Sequence, residues 1–239
     1  MEEVIPILPI LTPCARTQIR KPTFRDSKRA FFLAKKMLPE YVFDASKLEN
    51  NPLTFPEVQT LLDGVSIDGR KITDVEQVLN IRDAWNFVFS CVRERRFTLD
   101  LETYCSLHAL VARNEALEWG KFRTGNVGIA GTKEYKCPPA ESLPAIFQEE
   151  LPKLVAIQNP IERAICVFLW GASNLFFWDG NKRTSRLTAC GILLSEGIGV
   201  FNIRANDIQE FNSKILDFYE TQRADEIALF LSEKCIVMP

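Results

Sequence analysis

The spacing of apolar residues along the chain predicts a mainly α protein. Apolar side chains recur every three or four positions in most segments, as at Ile161, Ile165, Phe168 and Ala172, which is the period of a helix buried on one side. With the capping and helix-breaking residues between segments, this period predicts a short helix at 43–49 and another capped by Thr54. It predicts longer helices at about 27–41, 73–95, 100–115, 141–156, 160–174, 181–196, 205–221 and 223–234.

Three segments lack this helical period. Two Asp-Gly turn signals around residues 65–71 predict a small hairpin. Residues 122–135 are rich in Gly and Thr, and Val127 alternates with Ile129, which predicts a second hairpin. Residues 1–22 are interrupted by prolines, so we expect an extended arm there.

Composition and charge set limits on the class of protein. With 239 residues, 46% of them apolar, the chain is long enough for one main hydrophobic core. The net charge of −2 gives no general reason to expect binding to nucleic acid or to an anionic membrane. The seven cysteines are scattered without a Cys-x-x-Cys pair, which indicates neither a zinc site nor disulfides. Free thiols are typical of a reducing compartment, and we expect a cytoplasmic protein.

The segment FFWDGNKRTSR, which ends at Arg186, carries the clearest candidate chemistry. It predicts a turn that opens a helix, and it puts three cations in the first turns, where the helix dipole disfavours them. A bound anion would reverse this effect, because backbone N–H groups and guanidinium groups together bind phosphate oxygens. The alternative is a plain turn with a solvated basic face. The candidate phosphate ligands are Gly180, Asn181, Lys182, Arg183 and Arg186.

This segment resembles the active motif of the Fic (Fido) family, which reads His-x-Phe-x-Asp/Glu-Gly-Asn-Gly/Lys-Arg-x-x-Arg. Members of the family typically transfer AMP from ATP to a hydroxyl side chain of a target protein. The resemblance implies that Asp179 holds Mg²⁺ between the α- and β-phosphates, that Asn181 and Arg183 bind phosphates, and that Arg186 binds the γ-phosphate. Lys182 replaces the commoner Gly, and some members with Lys there transfer phosphate instead of AMP.

The chain departs from the motif at its first position, where Leu175 stands in place of the histidine. In the family this histidine is the base that takes the hydroxyl proton. Leucine cannot accept a proton, and a positioned base is typically worth about a hundredfold to ten-thousandfold in rate. We therefore expect that nucleotide binding survives and that transfer is weak or lost. A natural and an engineered origin of Leu175 both remain open.

Residues 119–131, followed by Pro138-Pro139, look like the flap of the family, a hairpin over the active loop that holds a segment of the target protein. An exposed strand edge can bind such a segment by main-chain pairing, with little dependence on its sequence. Taken alone, the same residues are also compatible with a plain surface turn. The candidate flap residues are Arg123, Thr124, Gly125, Val127 and Ile129.

Residues 46–54 are similar to the inhibitory segment of those family members that carry it N-terminal to the core. There a helix presents a glutamate to the last arginine of the motif and blocks the site of the γ-phosphate. The matching pair here is Glu49 and Arg186, and a carboxylate competes physically with phosphate for one guanidinium. The match is imperfect because Ala45 stands at the Ser/Thr position. Glu49 as an ordinary surface residue is the alternative.

Together these features predict a Fic-like helical bundle with a small β-hairpin flap over the active loop. Residues 1–40 are expected to form an arm and a first helix. Residues 41–239 are expected to form the Fic-like domain, with an inhibitory helix at 43–51, the flap at 122–136 and the active loop at 175–186. The expected ligands are ATP, Mg²⁺ and a segment of a target protein. The predicted activity is a weakened protein adenylyltransferase; the alternatives are an inactive nucleotide- or target-binding regulatory module and a phosphotransferase.

Overall fold

The computed structural model describes residues 8, 9 and 11–239. Within this part of the chain the protein folds into eleven α-helices and one two-stranded antiparallel sheet. The helices are α1 Pro13–Gln18, α2 Ser27–Lys36, α3 Leu38–Leu48, α4 Phe55–Leu62, α5 Ile72–Arg93, α6 Leu101–Val111, α7 Leu143–Val155, α8 Pro160–Asn174, α9 Asn181–Ser195, α10 Ile208–Thr221 and α11 Asp225–Lys234. The strands are β1 Val200–Phe201 and β2 Ile236–Val237.

Helices α8 and α9 form the centre of the fold, and α5 and α6 pack against α9. Nearly every side chain of α8 and α9 is buried. The two helices approach closely at Gly171, where an added Cβ would lie 2.0 Å from Ser185 Oγ and 2.2 Å from the Tyr104 hydroxyl. Those two hydroxyl groups are hydrogen-bonded at 2.9 Å. The loop between α8 and α9 is therefore fixed at both ends by the core.

The predicted mainly α fold with one small β element is confirmed, and the predicted helix at 160–174 matches α8 in both bounds. The single helix expected at 27–41 is wrong. The chain breaks at Met37 into α2 and α3, because Pro39 in the first turn of α3 has no N–H to continue a helix from α2. The short helix expected at 43–49 is the second half of α3. The Thr54 cap is confirmed as a full capping box with Glu57.

Neither predicted hairpin forms paired strands. Residues 65–71 make turns after Gly64, and residues 122–136 lie as an irregular loop that covers the active loop. The glycines in this covering loop lower its strand propensity, and side chains rather than a strand partner hold its backbone, as described below. The small sheet lies elsewhere: Val200 pairs with Val237, and Phe201 pairs with Ile236.

The N-terminal arm is not extended throughout its described residues. Thr12 caps α1, and both its N–H and its hydroxyl donate to the Asp225 carboxylate, at 2.9 and 2.7 Å. The Arg20 N–H donates to Ser232 Oγ at 2.9 Å, so the arm docks on α11. The rest of the predicted arm, residues 1–7 and 10, lies outside the described residues.

All seven cysteines are free thiols, as the sequence predicts. No helix in the described part of the chain combines the length and the hydropathy that are needed to cross a lipid bilayer.

Candidate functional site

The loop between α8 and α9 contains the basic motif and closes on itself. Helix α8 ends at Leu175, which adopts a left-handed conformation with φ 49°, and Gly180 at the start of α9 has φ 72°. The Asn181 amide bridges the loop, since its Oδ1 accepts from Phe177 N and its Nδ2 donates to Phe177 O, each at 2.9 Å. A Cβ on Gly180 would meet Ala112 Cβ at 3.2 Å, so glycine suits this position for packing as well as conformation.

A cavity of about 400 Å³ lies directly over this loop. Its walls come from the motif, the end of α3, the covering loop and one face of α10. The lining residues are 48–50, 127–130, 172, 175, 178–182, 212, 215, 216 and 219. The structure thus brings together three segments that the sequence flagged separately, namely the active loop, the candidate inhibitory residue Glu49 and the candidate flap.

Arg183 is buried behind the cavity and is already engaged by carboxylates. Its Nη1 donates to Glu115 at 2.7 Å, its Nη2 lies 3.5 Å from Asp179, and its Nε lies 3.9 Å from Glu49. Burial alone would lower the pKa of Arg183, but the carboxylates of Glu49, Glu115 and Asp179 outweigh burial and raise it. Glu115 also accepts from Gln77 Nε2 at 3.0 Å, which fixes this ion pair to α5.

Arg186 is buried to the same degree but is not matched in the same way. Its Nη2 has no hydrogen-bond partner among the described residues. Burial lowers the pKa of Arg186, and the nearby charges of Glu49 and Asp44 offset part of that effect. A buried guanidinium donor without an acceptor is costly, so an anion at this point would be stabilising. The residues present therefore fit a phosphate group.

Glu49 ends α3 and lines the cavity, with its side chain 18% exposed. The sequence predicted a pair with Arg186; among the described residues the ion pair within 4 Å is with Arg183, and Arg186 feels the Glu49 charge without a direct contact. A carboxylate in the cavity beside both arginines takes up space that a phosphate would need. It also neutralises part of the positive charge that would attract a phosphate.

Leu175 faces the cavity and lies outside the main apolar core cluster. Among the described residues that line the cavity, the titratable side chains are those of Glu49, Asp179, Lys182 and Tyr219. Burial raises the pKa of Tyr219, so its hydroxyl keeps its proton near neutral pH. The position of the family histidine therefore presents an apolar side chain, and no imidazole lines the cavity.

His108, the single histidine, lies beneath the loop rather than in the cavity. Its ring stacks on Phe177 with centroids 3.6 Å apart. The Gly120 N–H donates to Nδ1 at 2.9 Å, so the ring proton is on Nε2, which donates to the Asp179 carbonyl at 2.9 Å. Burial lowers the pKa of His108 to about 4. His108 holds the loop, and both of its nitrogens are occupied.

Arg123, a candidate target-binding residue, is buried instead. Its guanidinium donates to the carbonyls of Leu175 at 2.6 Å, Gly125 at 2.7 Å and Pro138 at 2.5 Å, and its N–H donates to Phe176 O at 2.9 Å. Burial lowers the pKa of Arg123. Arg123 thus ties the base of the covering loop to the active loop and is not available at the surface for a target.

The other end of the covering loop is held by α10. The Glu220 carboxylate accepts from the N–H groups of Lys133 and Glu134, and these hydrogen bonds lower the pKa of Glu220. The Tyr135 hydroxyl donates to the Ser173 carbonyl at the end of α8. Sequence reasoning missed Glu220 and Glu115, because a single glutamate on a helix or in a turn gives no signal of the segment it will contact.

Between these two attachments, side chains 124–130 alternate between exposed and half-buried, with Thr124 exposed and Val127 and Ile129 half-buried. This alternation is the period of an extended strand, although no strand pairs with it in the described residues. Gly125 packs on Trp178, since an added Cβ would lie 2.6 Å from Trp178 Cη2. The candidate flap therefore presents strand-like alternation of its side chains beside the active loop, while its Gly125 and Val127 carbonyls already accept from Arg123 Nη1 and Cys137 Sγ.

Asp179 and Lys182 are the most accessible charged groups of the motif. The Asp179 side chain is 58% exposed, and one of its oxygens accepts from Gly180 N at 2.5 Å. No ion pair holds Lys182 among the described residues, and it lines the cavity. The described residues contain no cluster of three or more His, Cys, Asp or Glu side chains that could hold a metal by themselves. One exposed carboxylate suits Mg²⁺ when the remaining ligands are phosphate oxygens and water.

Comparison with known proteins adds independent information. Residues 98–193 match the model of the Fic/DOC family, a range that includes the covering loop and the whole motif and excludes Glu49. The protein adenylyltransferase Fic of Nematostella vectensis is 24% identical over 197 residues, which cover 80% of this chain and 44% of that protein. This chain therefore spans less than half the length of that relative.

Solved structures share the fold at low sequence identity. Fic-1 from C. elegans superposes with a TM-score of 0.72 at 19% identity, covering 92% of this chain and 67% of that one. A Fic domain containing signaling protein from Bacteroides thetaiotaomicron gives 0.71 at 16% identity, covering 91% and 88%. IbpAFic2 in complex with adenylylated Cdc42 gives 0.52 at 15% identity, covering 92% and 74%. These likenesses concern the fold.

Proposed function

Because residues 98–193 of this chain form a Fic/DOC domain, we propose that the chain binds ATP with Mg²⁺ over the loop 175–186 and is a protein adenylyltransferase of weak activity. The single observation that carries this proposal is the composition of the cavity. Its walls supply groups for a triphosphate, while the position facing the reacting hydroxyl is Leu175.

The phosphate-binding part rests on charge and burial. Lys182 lines the cavity without an ion-pair partner among the described residues, and the buried Arg186 keeps an Nη2 donor without an acceptor. The N-terminus of α9 adds backbone N–H groups and the positive end of its dipole. Asp179 would hold Mg²⁺, which would offset the negative charge of the phosphates. The remaining proposed phosphate-binding residues are Asn181 and Arg183. Asn181 shapes the loop, and Arg183 would neutralise phosphate charge from behind the loop.

The weak activity follows from the missing proton acceptor. Leu175 cannot take the hydroxyl proton, and neither His108 nor Tyr219 replaces it, because His108 has both nitrogens occupied and Tyr219 keeps its proton. Positioning and electrostatic stabilisation of the transferring phosphoryl group remain, and these terms survive the loss of the base.

Glu49 is the proposed inhibitor of the site. Glu49 reaches the cavity from the end of α3 and competes directly for the guanidinium of Arg183. Its charge also acts on the guanidinium of Arg186. A phosphate would need both guanidinium groups. Glu115 by contrast is the permanent partner of Arg183, with the shorter contact of 2.7 Å. Removing the charge of Glu49 should therefore raise nucleotide affinity without unfolding the loop.

Residues 124–130 of the covering loop are the proposed docking strand for the target protein. Their half-buried side chains Val127 and Ile129 face inward, and a target segment would pair with the main-chain groups of this loop that are not already hydrogen-bonded. In the related IbpAFic2 structure the target is Cdc42, and by analogy we propose a protein hydroxyl as acceptor here. The acceptor then lies beside Leu175, on the wall that the docking strand and the active loop share.

Calorimetry with ATP and Mg²⁺ tests the binding part of the proposal. We expect heat from the wild-type chain, tighter binding for Glu49→Gln, and weaker binding for Arg186→Gln. Glu149→Gln is the matched control, since Glu149 is an exposed glutamate on α7. Absence of heat at millimolar ATP for both the wild type and Glu49→Gln contradicts the nucleotide site.

Labelling with α-labelled ATP tests the transfer part. The wild type should label itself or added protein slowly, and Leu175→His combined with Glu49→Gln should label faster by about a hundredfold or more. Binding without labelling in every variant supports the second candidate, an inactive regulatory module, for which the absence of an imidazole in the cavity is the observation in favour. Transfer of label from γ-labelled but not α-labelled ATP supports a phosphotransferase, as Lys182 suggests.

A further inference from the structure

The outward face of α2 is an unusual surface for a protein with a net charge of −2. Phe32 is 64% exposed, one of the most exposed large apolar side chains in the described residues. In a helix the surface neighbours of a residue lie three and four positions away. For Phe32 these four neighbours are all cations, namely Lys28, Arg29, Lys35 and Lys36. We refer to these five residues as the Phe32 face.

The only acidic group on α2 is its cap Asp26, whose carboxylate accepts from Arg29 N at 2.9 Å. None of the four cations of the Phe32 face takes part in a salt bridge within the described part of the chain. Lys35 lies 5.6 Å from the Phe31 ring, a contact that leaves its charge intact. Lys28 and Arg29 occupy the first turn, where the helix dipole disfavours cations.

The rest of α2 explains why this face points outward. Ala30 and Ala34 are buried, and Phe31 packs edge-on against Phe89 of α5 with ring centroids 5.4 Å apart. Small side chains on the inner face bring α2 close to the core and fix its rotation. The five residues of the Phe32 face are all exposed and therefore point away from the core.

Neighbouring residues extend the same chemistry. Arg95, at the end of α5, and Lys28 line a common groove with an apolar floor that includes Phe97. Phe24, just before α2, is 60% exposed. Arg95 thus adds positive charge beside Lys28, and Phe24 is a second exposed aromatic side chain eight residues before Phe32.

From this arrangement we propose that the Phe32 face binds an anionic lipid surface, with Phe32 inserted among the lipids and the four cations on acidic headgroups. An exposed helix face with a central aromatic side chain and four surrounding cations matches a negatively charged surface with an apolar interior. Double-stranded nucleic acid fits less well, because its backbone and groove edges are polar and leave the exposed Phe32 side chain unburied; binding to single-stranded RNA, on whose bases an aromatic ring can stack, is an outcome of the test below. An acidic protein would satisfy the cations but not the insertion of Phe32.

Vesicle sedimentation with the full chain tests this proposal. We expect binding to phosphatidylcholine vesicles that contain phosphatidylserine, little binding to phosphatidylcholine alone, and release at high salt. Lys28→Gln with Lys36→Gln should weaken binding roughly 30-fold, because each charge near an anionic surface is worth about 1 kcal/mol, which is about fivefold in affinity. The matched control is Lys71→Gln with Lys153→Gln, which removes two exposed lysines elsewhere. Equal binding by both double variants overturns the proposal.

Insertion of Phe32 separates a lipid surface from other polyanions. Phe32→Ser should lower vesicle binding severalfold, whereas Leu117→Ser, at a residue 76% exposed elsewhere, should not. In Phe32→Trp, brominated lipids should quench more fluorescence than in the wild type, because the new indole enters the acyl region. The proposal is overturned if quenching does not increase, or if RNA or an acidic peptide binds more tightly than the vesicles and with the same dependence on Lys28 and Lys36. All these positions are exposed, so the variants should keep the circular dichroism spectrum of the wild type.

Discussion

Acidification from about pH 7 to about pH 5 should destabilise this protein by roughly 2 kcal/mol through His108 alone. In the folded state the His108 ring is neutral and bonded on both sides, to Gly120 N and to the Asp179 carbonyl. A second ring proton would have to replace the hydrogen bond from Gly120. Burial opposes it further, as does the nearby charge of Arg183, and the pKa of His108 falls to about 4.

The magnitude follows from linkage between folding and protonation. In the unfolded chain the histidine has its ordinary pKa of about 6.5, so between about pH 6.5 and pH 4 the unfolded state binds a proton that the folded state does not. Stability from His108 is therefore fully present above that window and is lost as the pH falls through it. The full loss is about 3 kcal/mol, of which about 2 kcal/mol is already lost near pH 5.

Urea unfolding followed by tryptophan fluorescence, in parallel on the wild type and His108→Gln, measures this term. Carboxylates titrate in both proteins, so the difference between their free energies of unfolding isolates His108. We expect this difference to shrink by roughly 2 kcal/mol between about pH 7 and pH 5. A difference that stays constant over this range, or that grows as the pH falls, would falsify the assignment of a buried neutral ring.

Three further predictions concern the elements that hold the active loop. Gly171→Ala should cost about 1–3 kcal/mol of unfolding free energy, because its Cβ would meet Ser185 Oγ at 2.0 Å, whereas Gly128→Ala, with nothing within 4 Å, should be nearly neutral by the same urea assay. Arg123→Met should lower the free energy of unfolding by about 2 kcal/mol or more, since it leaves buried carbonyls without a donor; an unchanged thermal midpoint contradicts that role. Glu220→Gln should speed amide hydrogen exchange in the covering loop at neutral pH and not in α8; equal exchange in both proteins means that the carboxylate does not hold the loop.

Much of the fold was predictable because it depends on local patterns. The bounds of α8 and the Thr54 capping box follow from apolar spacing and from capping residues that act within one helical turn. The break at Met37 was missed because the apolar period runs across it, although Pro39 is a signal that a helix begins there. The strands at 200–201 and 236–237 have two residues each, too short for any alternation to be recognised.

In the candidate site, too, the features that depend on local sequence were predictable and those that depend on distant segments were not. The motif around Asp179 and the gap at Leu175 were visible because they are contiguous in sequence. The partners of the motif were not, since Glu115 and His108 lie about 70 residues upstream of the groups they bind and nothing in their own segments marks them. Arg123 was predicted as a target-binding residue of the flap, yet its side chain is buried and its guanidinium donates to three carbonyls. Side-chain contacts between distant segments are the part that sequence patterns leave undetermined.

The two hydrogen bonds between the Asn181 amide and Phe177 have a consequence for how the site can change. They maintain the curvature of the loop using only protein groups, so a nucleotide would meet donors that are already oriented, and the entropy of ordering them is lost during folding rather than on binding. The shape of the loop and the capacity for proton transfer therefore depend on different residues. A proton acceptor could therefore be introduced at residue 175 while the loop geometry that we propose for triphosphate binding stays the same.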